Sequence, residues 1–170
     1  MQAMQVVLRL IHIVGGVFWA GAMIFNAAFL FPALQDAGPD GAKVAAGVVR
    51  RKFATITPII ALFTILAGFA LMDRASGHFK AAYFSTGTGA TLAVGAVCAL
   101  IAFAIGLTVT RPSMMRAMAL SQGAAQAAPA EREQMVAQAS AFRARAGSSG
   151  VWVAVLLTVA AAAMAIARYM

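Results

Sequence analysis

The sequence predicts an all-α protein, a bundle of four transmembrane helices with an amphipathic segment between the third and fourth helices. Of its 170 residues, 62% are hydrophobic and 11% are charged, whereas soluble domains have about 25% charged residues. The hydrophobic residues form four long runs, and about 20 apolar residues in a helix match the ~30 Å hydrocarbon core of a bilayer. All of the acidic residues lie between these runs. We therefore predict a single integral membrane domain covering residues 1–170.

The first hydrophobic run is expected to be a permanent span, because it is longer than the apolar core of a cleaved signal peptide. Pro32 is expected to end it, and the turn-forming stretch 36–41 to separate it from a short helix before the second span. The four spans are expected at about residues 6–31, 53–72, 79–109 and 151–168.

The third predicted span carries small residues at a spacing of four, a pattern on which another helix backbone can approach closely. These residues are Gly87, Thr91, Gly95 and Ala99.

The polar segment 110–150 is predicted to be a cytoplasmic loop that contains one amphipathic helix. Pro129, followed by acidic residues, is typical of a helix start. Met135, Ala139 and Phe142 form one apolar stripe. We expect this helix to lie on the membrane surface and to end near Gly147.

The distribution of positive charge predicts the orientation. Nine of the thirteen lysines and arginines lie in the segments that join spans one to two and three to four. The positive-inside rule places both segments in the cytoplasm and both termini outside. The net charge of +8 does not indicate nucleic acid binding, because the basic residues lie at the ends of apolar runs and form no continuous basic face. They are suited to anionic lipid headgroups instead.

One face of the first span collects side chains that can hold a cofactor. Because an α-helix turns 100° per residue, five of them fall within an arc of about 80°. They are His12, Gly16, Trp19, Met23 and Asn26, with Arg9 beside the arc. A histidine can ligate haem iron, and a glycine one turn away leaves room for a flat macrocycle. Alternatively, His12 hydrogen-bonds a neighbouring helix, and Trp19 and Met23 belong to the bundle core.

Two further groups of side chains have possible functions. His78, Phe79 and Lys80 are expected to open span three on the same side as the start of span one. Lys80 or His78 would then reach a site shared with His12, or else Lys80 extends to the headgroups and His78 is a loop residue. Met114, Met115 and Met118 offer thioethers, which favour Cu(I), or serve only in packing.

Short stretches of the first half of the chain resemble two related groups of bacterial membrane proteins. Leu10-Ile11-His12, Phe18-Trp19-Ala20-Gly21 and Phe29-Leu30-Phe31-Pro32 resemble the first helix of the copper-resistance CopD-like proteins and the HemJ-type protoporphyrinogen oxidases. Arg50-Arg51-Lys52-Phe53 with Thr57-Pro58, and then His78-Phe79-Lys80, are similar to HemJ-type segments at the second and third helices. The resemblance covers residues 9–85.

The resemblance implies a site and a location. HemJ-type proteins associate haem b with the first-helix histidine and depend on the third-helix lysine, which correspond here to His12 and Lys80. It also implies a bacterial inner membrane and, if the protein is an enzyme, an oxidoreductase. From Arg111 onward there is no match, and Gly147-Ser148-Ser149-Gly150 stands where that family has an Asn-Glu element. The resemblance therefore implies a haem site more directly than oxidase activity.

Three functional hypotheses follow. In the leading one, the protein binds haem b. His12 is an axial ligand, Lys80 a second ligand or propionate partner, Arg9 a propionate partner, and Trp19 and Met23 wall the pocket. The second is copper handling in the CopD-like manner, with His12, Met23, Met114 and Met118. The third is a cofactor-free accessory subunit that packs against a membrane protein partner or a second copy of itself.

Overall fold

The computed structural model describes residues 2–170, except for the side chain of Pro39. Every regular element in this part of the chain is a helix. The α-helices are α1 (Gln2–Phe25), α2 (Phe31–Asp36), α3 (Gly38–Arg50), α4 (Phe53–Ser76), α5 (Ala81–Phe84), α6 (Gly87–Ile105), α7 (Arg111–Ala124) and α8 (Pro129–Ile166). Two π-helical turns, Asn26–Leu30 and Gly106–Thr110, join α1 to α2 and α6 to α7, and a 3₁₀ turn, Ala167–Tyr169, follows α8.

Four helical rods are long and apolar enough to cross a membrane, which confirms the predicted all-α, four-helix fold class. They cover Gln2–Asp36, Phe53–Ser76, Gly87–Ala124 and Pro129–Tyr169. Large apolar side chains on each rod face outward, among them Val17, Phe63, Val97 and Trp152. An apolar outer surface of this kind is suited to lipid rather than to water.

The first rod does not end at Pro32, as the sequence had indicated. A proline lacks the N–H that continues a helix, but a wider turn precedes it, in which Phe31 N–H donates to the carbonyl of Asn26. The third rod has the same kind of turn before Pro112, in which the Arg111 N–H donates to the carbonyl of Gly106. Local π-helical adjustment is a known way to accommodate proline in a membrane helix. Both rods therefore run further than their hydrophobic runs suggest.

The third rod also begins later than expected. Phe79 belongs to a tight connection after α4, in which Gly77, His78 and Phe79 have positive φ angles. The spanning helix starts only at Gly87, after Thr86 accepts a hydrogen bond from the Gly89 N–H at 3.0 Å. This side-chain cap satisfies one free N–H of the first turn and fixes the start of the helix.

The segment 110–150 is a helical hairpin formed by α7 and the first part of α8. The predicted amphipathic helix exists, but its apolar stripe packs against α7 instead of lying on a membrane surface. Arg116 of α7 lies over the ring of Phe142, 5.6 Å from its centroid, and Ala139 is 1% exposed. Nor does the helix end at Gly147, since α8 continues without interruption into the fourth span. Burial against the small residues of α7 removes the stripe from solvent.

The centre of the bundle is closed by a small core. The predicted close approach at the small-residue face of span three is confirmed at Gly95, where an added Cβ would lie 3.3 Å from the Ala160 carbonyl oxygen and from the Ala163 Cβ. Six buried apolar residues form one cluster, namely Trp19, Met23, Ala61, Ala102, Val153 and Leu157. Open space lies on both sides of this cluster.

Candidate functional site

A large cavity, here called the His12 cavity, lies between all four spanning helices on one side of the core. Its volume is about 780 Å³, and α1, α4, α6 and α8 all contribute to its wall. Most of the wall is apolar, and the polar side chains on it are Gln5, Arg9, His12, Thr64 and Arg74. Both arginines are exposed. The cavity therefore combines an apolar interior with two positive charges.

His12 is held in place by α4. Its Nδ1 lies 2.8 Å from the backbone carbonyl oxygen of Thr64. Because a carbonyl oxygen can only accept, Nδ1 carries a proton and donates it, so in the neutral imidazole Nε2 is the nitrogen with the free lone pair. The alternative prediction, that His12 hydrogen-bonds a neighbouring helix, is confirmed by this contact. The same contact produces the tautomer and fixed ring that a metal-ligating histidine has.

The carbonyl of Thr64 is within reach because α1 and α4 approach closely. An added Cβ at Gly15 would overlap the Thr64 hydroxyl oxygen. That hydroxyl donates to the Ile60 carbonyl at 2.8 Å, so it is fixed within its own helix. A helical carbonyl accepts one bond from the N–H four residues on and has a second lone pair for another donor. The histidine uses this second position on Thr64.

Space for the imidazole comes from Gly68. A Cβ at this position would lie 2.7 Å from His12 Cε1 and 2.9 Å from His12 Nδ1, which is closer than such atoms come in real structures. Gly16, the glycine that the sequence singled out, instead makes ordinary contact, with a nearest distance of 3.8 Å to Thr64 Cγ2. An isolated glycine in a helical pattern often has a packing reason, and this was the available signal for Gly68.

Trp19 closes the cavity toward the core. Its side chain is 5% exposed, and its ring meets Phe103 edge-to-face, with centroids 6.1 Å apart. Met23, the next residue on the predicted polar face, lies beyond Trp19 and lines a second, smaller space. The structure therefore brings Arg9, His12 and Trp19 to one cavity and places Met23 outside it.

Lys80 and His78 lie in the connection after α4, and neither is among the described residues that line the His12 cavity. The Lys80 stem lies against Gly77, with Cδ 3.6 Å from the position of an added Cβ. His78 Nδ1 faces a carboxylate oxygen of Asp73 at 3.2 Å. Arg74, which the sequence pattern did not single out, lies on the cavity wall, where Lys80 had been expected.

The donor set of the described residues is limited. Within residues 2–170, no three histidine, cysteine, aspartate or glutamate side chains come together as a metal site. His12 is therefore a single strong metal ligand beside an apolar space. This arrangement suits a prosthetic group in which a macrocycle supplies most of the ligands of the metal. Comparison with protein-family models, with curated proteins and with solved structures found no match.

Proposed function

We propose that the protein is a membrane protein that binds haem b in the His12 cavity, with Nε2 of His12 as an axial ligand of the iron. The observation that carries the proposal is the hydrogen bond from Nδ1 to the Thr64 carbonyl, 2.8 Å long. In haem and metal proteins, the ligating histidine is commonly oriented by such a bond, which fixes its tautomer and raises its basicity.

The cavity fits the group in size and in charge. Its volume of about 780 Å³ lies within the usual range of about 300–1,000 Å³ for small-molecule sites. The apolar wall suits the macrocycle, and Arg9 and Arg74 supply guanidinium groups for the two propionates. Lys80 is not required, because its stem packs on Gly77. Haem b held in this way would supply one-electron transfer, which is the redox activity that we propose.

The test is the visible spectrum of the protein, expressed with haem supply and purified in mild detergent. We expect a Soret band that is lost in His12→Ala and partly restored when imidazole is added to that variant. His78→Ala is the matched control and should keep the band, because its ring is exposed and faces Asp73. Lys80→Met should also keep it. Absence of a Soret band in the wild type, or an unchanged band in His12→Ala, would reject the proposal.

The second candidate function is copper handling, which one observation favours. Met23 of α1 and Met114 and Met118 of α7 line the same small space, and thioethers are ligands for Cu(I). Anaerobic titration with Cu(I) and a chromophoric competitor distinguishes the two functions. Stoichiometric copper binding that is lost when the three methionines are replaced by leucine, in a protein without a Soret band, would favour copper. A colourless, metal-free protein that co-purifies with a membrane enzyme would instead indicate an accessory subunit.

A further inference from the structure

A second chamber lies on the other side of Trp19 from the His12 cavity, at the hairpin end of the bundle where α7 meets α8. Its volume is about 140 Å³. Both π-helical turns contribute to its wall, through Asn26 on one rod and through Gly106 and Thr110 on the other. Widened turns of this type occur frequently at functional sites. In two of the rods, therefore, a π-helical turn that precedes a proline forms part of the chamber wall.

Three uncharged polar side chains on this wall are buried, and one of them, Thr110, is hydrogen-bonded to Ser149 at 2.9 Å. Asn26 and Thr57 are each 6% exposed, and both line the chamber. Among the described residues, the Thr57 hydroxyl has no hydrogen-bond partner. Buried polar groups in native proteins are nearly always paired, and an unpaired one calls for an explanation. A hydroxyl and an amide NH₂ both donate, so a ligand with acceptor oxygens would satisfy them.

Arg111 also lies on this wall, with its Nε bonded to the Ala54 carbonyl at 3.1 Å, and the rest of the wall is apolar and partly aromatic. Trp19 and Phe103, which form an edge-to-face pair with an interplanar angle of 88°, both line the chamber. Aromatic side chains favour contact with another flat ring. A cavity of about 150 Å³ holds one benzene ring, so a chamber of this size admits a single ring and excludes a macrocycle.

We propose that this chamber binds the head ring of a membrane-soluble quinone, a single flat ring whose carbonyl oxygens accept hydrogen bonds from Thr57 and Asn26. Its apolar wall lies within a membrane-spanning bundle, so the ligand is expected to arrive from the lipid phase. Bare Cu(I) would use the thioethers but would leave both donors unpaired. The proposal does not depend on haem, because the chamber and the His12 cavity have different walls that share Trp19.

The two tryptophans of the chain allow a direct test. Trp152 is 64% exposed, and Trp152→Phe leaves Trp19 as the single tryptophan, which can be excited selectively over the two tyrosines. Quinones quench a tryptophan that they contact. Titration of this variant in detergent with 1,4-benzoquinone, a single ring without further substituents, is expected to give saturable quenching. Thr57→Val and Asn26→Leu, made in the same background, should each weaken the apparent affinity about threefold to tenfold, the usual effect of one lost hydrogen bond.

The matched control is Thr158→Val. The Thr158 hydroxyl is bonded to the Ala154 carbonyl at 2.8 Å and is not among the described residues on the chamber wall, so the affinity should stay unchanged. Circular dichroism of each variant checks that it folds. Quenching should also persist in the His12→Ala background, which separates this proposal from the haem proposal.

Three results would overturn the proposal. The first is quenching that rises linearly with quinone and never saturates. The second is equal affinity in Thr57→Val, Asn26→Leu and the parent. The third is competition by toluene as effective as that of the quinone, which would show that the carbonyl oxygens contribute nothing.

Discussion

Helices α1, α4, α6 and α8 line the spaces at both ends of the bundle, but α2, α3 and α7 contribute only to the hairpin end, and the two ends offer different environments. At the His12 end, the charged side chains Arg9 and Arg74 are exposed and the space is about 780 Å³. At the hairpin end, the space is about 140 Å³ and its wall carries the uncharged polar groups of Asn26 and Thr57, while Arg111 on the same wall is bonded to the Ala54 carbonyl. A charged, amphipathic ligand is suited to the first end, and a small neutral ligand to the second.

The difference arises from how each end is closed. At the His12 end, α1 and α4 meet through Gly15 and Thr64, while the other helices contribute mostly apolar wall. At the hairpin end, α7 continues the third rod and packs on α8, and Arg111 Nε donates to the Ala54 carbonyl of α4 at 3.1 Å. Small residues in membrane helices allow close contact, but they leave space wherever the helices diverge. We therefore predict that variants at the His12 end change the haem affinity, whereas variants at the hairpin end change the free energy of unfolding or the quinone affinity.

The largest effect is expected at Gly68. In Gly68→Leu the new side chain must displace the His12 ring, because even a Cβ would lie 2.7 Å from its Cε1. Loss of the orienting contact to Thr64 should lower the haem affinity by tenfold or more, in line with the roughly 10–100-fold effects of lost contacts to metal ligands. The haem content per protein, read from the Soret band during titration with haem, measures this effect.

Gly21→Leu is the control for Gly68→Leu, because no described side chain or distant backbone atom lies within 4 Å of an added Cβ at position 21. It should keep the wild-type haem affinity. Quinone quenching at the hairpin end should be unchanged in both variants. If Gly68→Leu and Gly21→Leu bound haem equally well, the fixed orientation of His12 would have no role.

A moderate effect is expected at Pro58 and Arg111. Pro58 has no N–H to donate to Ala54 four residues earlier, and Arg111 donates to that carbonyl instead. Arg111→Met should therefore lower the free energy of unfolding by about 1 kcal/mol. Pro58→Ala restores the backbone donor, so Arg111→Met should cost less in that background. Unfolding by SDS in mixed micelles, followed by circular dichroism, measures all four proteins of the double-mutant cycle.

A coupling close to zero in this cycle would show that Arg111 acts only as a surface charge. Haem affinity should not change in any of the four proteins, since neither residue lines the described wall of the His12 cavity. A change in haem affinity would mean that the two ends are coupled, and the contrast between them would then need revision.

Hydropathy alone predicted the fold, since four apolar runs in a short chain require four spanning helices. Hydropathy did not predict the helical segments in which polar residues extend those four helices. The segment 110–150 read as a loop because its residues are polar, yet the helix passes through Gly147 and Gly150. Gly150 allows Phe31 to approach, with an added Cβ 3.6 Å from its Cε2. A contact between residues so distant in the chain cannot be read from a local pattern.

The candidate site was likewise predictable only in part. The face of α1 that carries His12 and Trp19 was predictable, because helical periodicity brings residues three and four apart onto one side. Their partners on α4, Thr64 and Gly68, were not, because the register between two helices depends on tertiary packing. Lys80 was expected in the first turn of span three, but the connection after α4 extends through His78 and Phe79, which have positive φ angles, and the spanning helix starts only at Gly87.

The smallest effect is expected at the hydrogen bond between Thr110 and Ser149, which joins the third and fourth rods at the hairpin end. The two hydroxyl oxygens lie 2.9 Å apart, and both residues are 9% exposed. Hydrogen bonds between membrane helices contribute about 0.6 kcal/mol on average. Thr110→Val should lower the free energy of unfolding by about this amount, measured by SDS unfolding. Ser149→Ala should cost a similar amount.

The double variant tests whether the bond or the shape of the helices closes this end. Because Thr110→Val with Ser149→Ala removes both partners and leaves neither hydroxyl unpaired, it should be no less stable than the worse single variant. A larger loss in the double variant, equal to both single losses together, would show that the two hydroxyls act independently and do not hold the rods together as a pair.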